Sequence, residues 1–205
     1  MSDNFIEVKN IEKAQKLLEN IPKGIERATT RAINRSLTTL KKDLKKKVTS
    51  EYGIKSTELE KKMSVRKATF TTLSGSIYSK APTISLYKFF KSSTTRGISV
   101  LVKKSDGRKI VNGNPRLRGR PFIAKMKNGH IGIFQRSHRT RKNNAGKEVS
   151  VIQDLKTLSI PQMLGSKTIM EYINDSRETE KLIEKNLDRE IEKILKGYLW
   201  KRYLS

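Results

Sequence analysis

The sequence predicts an α+β protein with N-terminal helices, a central antiparallel β-sheet with long basic loops, and a C-terminal helix. Three observations predict it. Apolar residues recur at steps of three and four from residue 11 to residue 50, and again after residue 174. The stretch between them switches to short alternating runs punctuated by Gly, Pro and Asn. Helices followed by strands and then a helix favour antiparallel pairing over repeated βαβ units. The 205 residues read as a single domain, helical over 1–63, β-rich with basic loops over 64–160, and helical again over 166–205.

Ile11, Ala14, Leu18, Ile21, Ile25, Ala28 and Ala32 form the first apolar stripe, and Ile33, Leu37, Leu40, Leu44 and Val48 continue it. Proline inside a helix costs on the order of 3 kcal/mol. Pro22 therefore splits the pattern into a short helix ending near Asn20 and a long one running from about Pro22 to Ser50. The polar face of the long helix carries Arg27, Arg31 and Arg35, then Lys41, Lys42, Lys45, Lys46 and Lys47. Like charges four residues apart weaken an isolated helix. This face is either solvated or docked on something anionic.

Ser56 is placed to cap a brief helix running through Met63. Residues 65–79 turn β-rich, with Gly75 at a bulge or turn, and Ile84–Phe90 reads as a second β-run. Ile98, Val100 and Val102 alternate as a third strand. Residues 103–120 have the composition of a long loop, with a small ribbon turned at Asp106-Gly107. From Pro121 to Arg136 the sequence PFIAKMKNGHIGIFQR alternates, meets Asn128-Gly129 and alternates back. That pair predicts a hairpin with a two-residue type I′ turn. A further basic loop, SHRTRKNNAGK, follows. Residues 151–164 begin β-like and end at Pro161 and Gly165. Asp175 and Glu178 have capping-box spacing, opening a helix whose stripe is Leu182, Ile183, Leu187, Ile191, Ile194 and Leu195.

The net charge is +25, and the basic residues cluster. Between Arg96 and Lys147 there are fifteen Lys or Arg against one acid, Asp106. Charge of this size suits a polyanion or an acidic partner. The apolar share is only 35%, which fits a small core under large solvated surfaces. No apolar run approaches the roughly 18 residues needed to span a bilayer, so no membrane partner is expected. The first ten residues lack the basic and apolar regions of a secretory signal. With no cysteine, neither disulfides nor thiolate metal sites apply.

Chemistry-bearing patterns are sparse. His130 and His138 stand outside any familiar ligand spacing. Nothing marks a carboxylate pair for acid–base work, and both the phosphate-binding glycine loop and the Gly-x-Ser-x-Gly elbow are absent. The expectation is a non-enzyme with no catalytic residue, no metal, no cofactor and no small-molecule substrate. The aromatics of the strand-like segments read as core.

Four segments in order resemble one family. FIAKMKNGHIGIFQR is similar to the motif Phe-(Ile/Val)-Ala-x-Met-x-x-Gly-His-x-Gly-(Ile/Val)-Phe-x-Arg of phage minor tail protein Z. LSIPQMLGS resembles that family's Ser-(Ile/Val)-Pro-Gln-Met-Leu segment. RATTRAINRSLTTLKKDLKKKVTSEYGIKSTELEKKM looks like its basic N-terminal helix, Tyr-x-Ile step and short second helix, and SLYKFF also fits. The likeness spans most of residues 22–170. It implies a structural virion protein of tailed bacteriophages, a tail completion protein at the head–tail junction. Such a protein is assembled in the host cytoplasm as a homo-oligomeric ring, by expectation a hexamer, around the DNA channel. Its partners would be the tail terminator, the head-side connector and viral DNA. The residues suit that picture. Arg116, Arg118, Arg120, Arg139, Arg141 and Lys142, on loops flanking the hairpin, are candidates to face DNA or an acidic neighbouring ring. Phe122, Met126 and Phe134 are candidate core or subunit-interface residues, and Ile160, Pro161, Gln162 and Met163 a candidate docking segment. The alternative is a non-specific basic nucleic-acid-binding protein of ribosomal or regulatory type.

Overall fold

The long polar-faced helix forms, starting at Gly24, two residues after the predicted start at Pro22. In the computed structural model, residues 11–203 are described, with side chains from 15 to 200 except at 176. The N-terminal decapeptide, read as lacking a secretory signal, lies outside them. Helix α1 (Ile11–Leu18) ends in a turn in which the Ile21 and Gly24 amides donate to the Leu18 and Ile21 carbonyls. Lys23 takes the left-handed conformation there, with φ 54°. Helix α2 (Gly24–Glu51) follows for 28 residues, about 42 Å at 1.5 Å per residue. Elements α3 (Ser56–Glu60), β1 (Met63–Arg66), β2 (Ser76–Ser79), β3 (Phe90–Thr94), β4 (Gly97–Val100) and β5 (Lys109–Ile110) come next. Then come β6 (Arg118–Lys125), β7 (Ile131–Lys142), β8 (Glu148–Asp154), α4 (Ile160–Leu164), α5 (Lys167–Asn174) and α6 (Ser176–Tyr203). The protein is mixed α+β, and its antiparallel strands form three small sheets, β1-β2, β3-β4-β5 and β6-β7-β8.

Several local readings change. Lys55, not Ser56, stands at the α3 N-cap, with no side-chain cap, and Met63 already belongs to β1. Residues Leu86–Phe89 form a 3-10 turn, and the strand begins only at Phe90. The aromatic-rich run looked β-like because a turn that buries Phe89 uses the same residues. The ribbon read within residues 103–120 forms with one strand outside that stretch, Ser99 and Val100 pairing with Ile110 and Lys109 across the turn that holds Asp106-Gly107. Asp175 separates α5 from α6 with non-helical backbone angles, φ −71° and ψ 83°.

The chain divides into two compact units. The first comprises the N-terminal helices up to Lys45, Met63–Ser79 and everything from Gly165 onward. Its core joins Leu18 and Ile21 to Ala28 and Ala32 of α2 and to Leu187, Ile191 and Ile194 of α6. One turn further along α2, the buried Asn186 amide donates to Ser36 Oγ at 2.9 Å. Glu190 lies on the same run of α6 with its side chain only 4% exposed; Arg35 reaches it at 3.0 Å, Lys193 at 3.3 Å and Arg31 at 4.0 Å. Part of the basic face of α2 thus has its anion within the unit. Asn34 completes this side of α2: its carboxamide donates to the Ala68 carbonyl and accepts from the Ala68 amide. That exchange holds the loop between β1 and β2 as a strand neighbour would.

The second unit comprises Lys46–Lys62 and Lys80–Leu164, and it contains the six strands from β3 to β8. Its buried residues include Val48, Tyr52, Ile54, Leu59, Phe89, Ile98, Val100, Ile133, Phe134, Ile160 and Met163. The Gly53 amide bonds the Val102 carbonyl, and Tyr52 bridges Lys103, so the chain leaving α2 runs beside the end of β4. Among the described residues no helix is long and apolar enough to cross a membrane.

Candidate functional site

The β6-β7 hairpin forms with a different turn. The Gly129 amide donates to the Met126 carbonyl and the Met126 amide to the His130 carbonyl. These bonds close a three-residue loop, Lys127-Asn128-Gly129, in which Gly129 alone has positive φ, 81°. A type I turn with a left-handed glycine after it, rather than type I′, is the physical outcome, and Asn128 caps it by accepting from the His130 amide. The β7-β8 connection repeats the device. The Gly146 and Asn143 amides bond the Asn143 and Lys147 carbonyls, with Gly146 at φ 73°.

Strand β7 is the centre of this sheet and changes character halfway. Gly132, Ile133, Phe134 and Gln135 are all buried, so both faces of the strand are covered. Phe134 pairs with Phe122, the rings 6.4 Å apart, and the Arg136 guanidinium stands 4.9 Å over the Phe122 ring. A Cβ on Gly132 would lie 2.8 Å from Asp154 Oδ1 and 2.9 Å from the Phe134 ring. Only glycine therefore admits that packing. Asp154 gathers two further groups, with His130 Nε2 at 3.1 Å from its Oδ2 and Ser85 Oγ donating to its Oδ1 at 2.9 Å. The carboxylate lies between the hydroxyl and the imidazole, so the serine's partner is the carboxylate and not the imidazole. This arrangement ties the turn to β8 and does not resemble an activated nucleophile.

On the other face, Gln135 is 3% exposed. Its Oε1 accepts from the Asn114 amide at 2.7 Å, and its Nε2 donates to the carbonyls of Asn114 and Gly119. One buried carboxamide thus pins the loop before β6. Here β6 bulges between Arg118 and Phe122, which accommodates Pro121 with no ladder donor to lose.

Beyond Arg136, β6 no longer pairs with β7, and only β8 accompanies it. The register shifts between Arg136 and Thr140, then Thr140, Arg141 and Lys142 oppose Ser150, Val149 and Glu148. The segment read as a basic loop is therefore the outer half of a strand and its turn. Residues 138–148 are all exposed. The six candidate cations divide accordingly. Arg116 lies in the pinned loop, Arg118 and Arg120 lie at the β6 bulge, and Arg139, Arg141 and Lys142 lie on the outer half of β7. All six are exposed, and among the described residues none of them is in an ion pair. Asp106, the one acid of the basic stretch, is already engaged. Its bonds from Lys109 Nζ, at 2.9 Å, and from Ser105 Oγ hold its carboxyl below the usual range.

A model of a known protein family, prophage minor tail protein Z, matches residues 8–202. The chain belongs to this family. It is accordingly a structural protein of a phage tail. Neither the curated proteins nor the solved structures contain a match.

The minor tail protein Z segments acquire structural reasons. Gly129 makes the turn, His130 and Asp154 fasten it, Gly132 leaves room for Phe134, and Arg136 covers Phe122. In the Ser-Ile-Pro-Gln segment the Ser159 amide and hydroxyl both donate to Gln162 Oε1, and the Gln162 amide donates back to Ser159 Oγ at 3.4 Å. This is a capping box, with Pro161 in the first turn where no amide is needed. Ile160 and Met163 are 1% and 0% exposed. The candidate docking segment therefore leaves only Pro161 and Gln162 at the surface. Phe134 is core, while Phe122 and Met126 are half-buried. Ser159→Ala is expected to cost about 1 kcal/mol through the lost cap, read as a fall in Tm of about 2–4 °C.

Sequence reading missed Asp154, the Gln135 clamp and the Ser159 cap. The cap had a legible signal, Ser-x-x-Gln. The other two depend on partners 16 to 69 residues away, which no local pattern reveals.

Proposed function

We propose that this minor tail protein Z family member is a non-enzymatic tail completion protein. It acts in the virion at the head–tail junction and forms a homo-oligomeric ring, taken as a hexamer, around the DNA channel. The ring joins the tail terminator to the head-side connector. The observation that carries this reading is the group of six exposed cations, in no ion pair among the described residues, carried on and beside a sheet whose central strand is buried on both faces over residues 132–135. A channel lining needs charge that attracts phosphate without reading bases, held on a scaffold that does not yield. Phe122 and Met126, half-buried beside that scaffold, supply apolar surface for subunit contact, and Pro161 and Gln162 supply a polar rim.

Replacing Arg116, Arg118, Arg120, Arg139, Arg141 and Lys142 together by Ser is the test. The expected variant melts within a few degrees of the parent, since exposed substitutions shift stability by only about 0.5 kcal/mol each. Phage carrying it should accumulate unjoined heads and tails, or particles that lose DNA. Normal titre and normal DNA retention with the sextuple variant would overturn the proposal.

A further inference from the structure

We propose that the outer β7-β8 ribbon, residues 137–148, is a DNA-gripping arm that binds duplex phosphates without regard to sequence. It deepens the reading of this protein as part of a DNA-bearing tail and rests on it. The cations involved are Arg139, Arg141, Lys142 and Lys147. Three observations single this element out from the rest of the basic surface.

The first is geometry. Six residues of β7 continue past the three-stranded sheet, about 20 Å at 3.3 Å per residue. They are paired only to β8 and closed by a tight three-residue loop. A lone two-stranded ribbon is marginal in water, and this one lacks apolar cross-strand pairs at its tip. It is also narrow enough for a major groove about 12 Å wide.

The second is composition. The residues from 137 to 148 are Ser, His, Arg, Thr, Arg, Lys, Asn, Asn, Ala, Gly, Lys and Glu. They contain four cations and one acid, Glu148, which lies opposite Lys142. They contain no Phe, Tyr or Trp and no aliphatic side chain larger than alanine. Protein interfaces centre on Trp, Tyr and Arg anchors packed among apolar groups, and a ribbon whose arginines have no Trp, Tyr, Phe or large aliphatic residue beside them favours a polyanion over an acidic protein partner.

The third is mounting. The arm is continuous with the four buried residues of β7, so the backbone that carries its cations is anchored at one end in the sheet. The cations at Arg116, Arg118 and Arg120 sit instead on the Gln135-pinned loop and the bulge, outside the ribbon.

The test uses the full-length protein and a random-sequence DNA duplex of about 30 base pairs, with affinity measured across salt concentrations. One variant carries Ser at Arg139, Arg141, Lys142 and Lys147. A control of equal charge carries Ser at the exposed Lys61, Lys67, Lys80 and Lys91. Each phosphate contact contributes about 0.9 to the slope of log affinity against log salt. The ribbon variant is expected to lose about 3 to 4 of that slope, and the control under half as much. Coincident thermal melts exclude unfolding as the cause.

Equal losses in the two variants would mean diffuse attraction and would overturn the arm. So would a wild-type protein that binds polyglutamate as tightly as DNA and loses both equally in the ribbon variant. The junction role is scored separately by complementation. A ribbon variant that loses DNA affinity yet still joins heads to tails upholds the arm and counts against a joining role for its cations. One that keeps DNA affinity but fails to join overturns the arm and leaves the junction reading standing.

Discussion

Ala32→Leu is expected to lower the unfolding free energy by about 3 kcal/mol, the largest effect of any single substitution considered. Ala32 is fully buried in one cluster with Leu187, Ile191 and Ile194. One turn on, Ser36 accepts a buried hydrogen bond from Asn186. Three added carbons have no space to enter. Overpacking costs about 1–3 kcal/mol, and displacing α6 also weakens the Asn186 bond, worth about 1 kcal/mol. For a chain of this size the change corresponds to a fall in Tm of about 6–12 °C. Thr38→Leu, which adds an apolar side chain on the exposed face of the same helix, is expected to stay within about 0.5 kcal/mol. Equal melting temperatures for the two variants would refute the α2–α6 packing described.

Gln135→Leu is expected to release the loop before β6 while leaving the sheet folded. The leucine keeps the buried volume but abandons the Asn114 amide and the carbonyls of Asn114 and Gly119. Buried groups left without partners cost about 1–3 kcal/mol each. Here the loop can lift and rehydrate, which limits the loss to about 2 kcal/mol. Amide exchange at Asn114 should then accelerate roughly thirtyfold, since 1.4 kcal/mol is a factor of ten, and exchange at Ile133 should scarcely change. If Asn114 keeps its protection, the carboxamide is not the clamp. Gln135→Glu separates hydrogen bonding from shape. It keeps the acceptor for the Asn114 amide but loses both donors.

Elements whose signal is local were legible in the sequence. The break at Pro22, the stripes of α2 and α6, and the hairpin around Asn128-Gly129 all follow from spacing and backbone chemistry. The outer half of β7 was hidden because period-two alternation appears only when one face is buried. A strand such as SHRTRK, wet on both sides, carries no hydrophobic alternation and reads as loop. The 3-10 turn at Leu86–Phe89 was hidden for the opposite reason, since its residues are apolar enough to pass for a strand. The position of the basic site was visible in the charge count. Its division into a pinned loop, a bulge and a ribbon was not, because that division depends on Gln135 and on where β6 stops pairing.

The continuity of β7 also has a mechanical meaning. Its twelve residues run as one strand, with a register shift between Arg136 and Thr140, from a segment buried on both faces to a tip standing in solvent. A pull applied at the tip along the strand would load the rungs to β6 and β8 side by side, as shear, and they would have to give way together. A flexible loop under the same pull would extend and shed its contacts one at a time. The arm therefore behaves as a tether with one end set in the core, able to carry tension without lengthening.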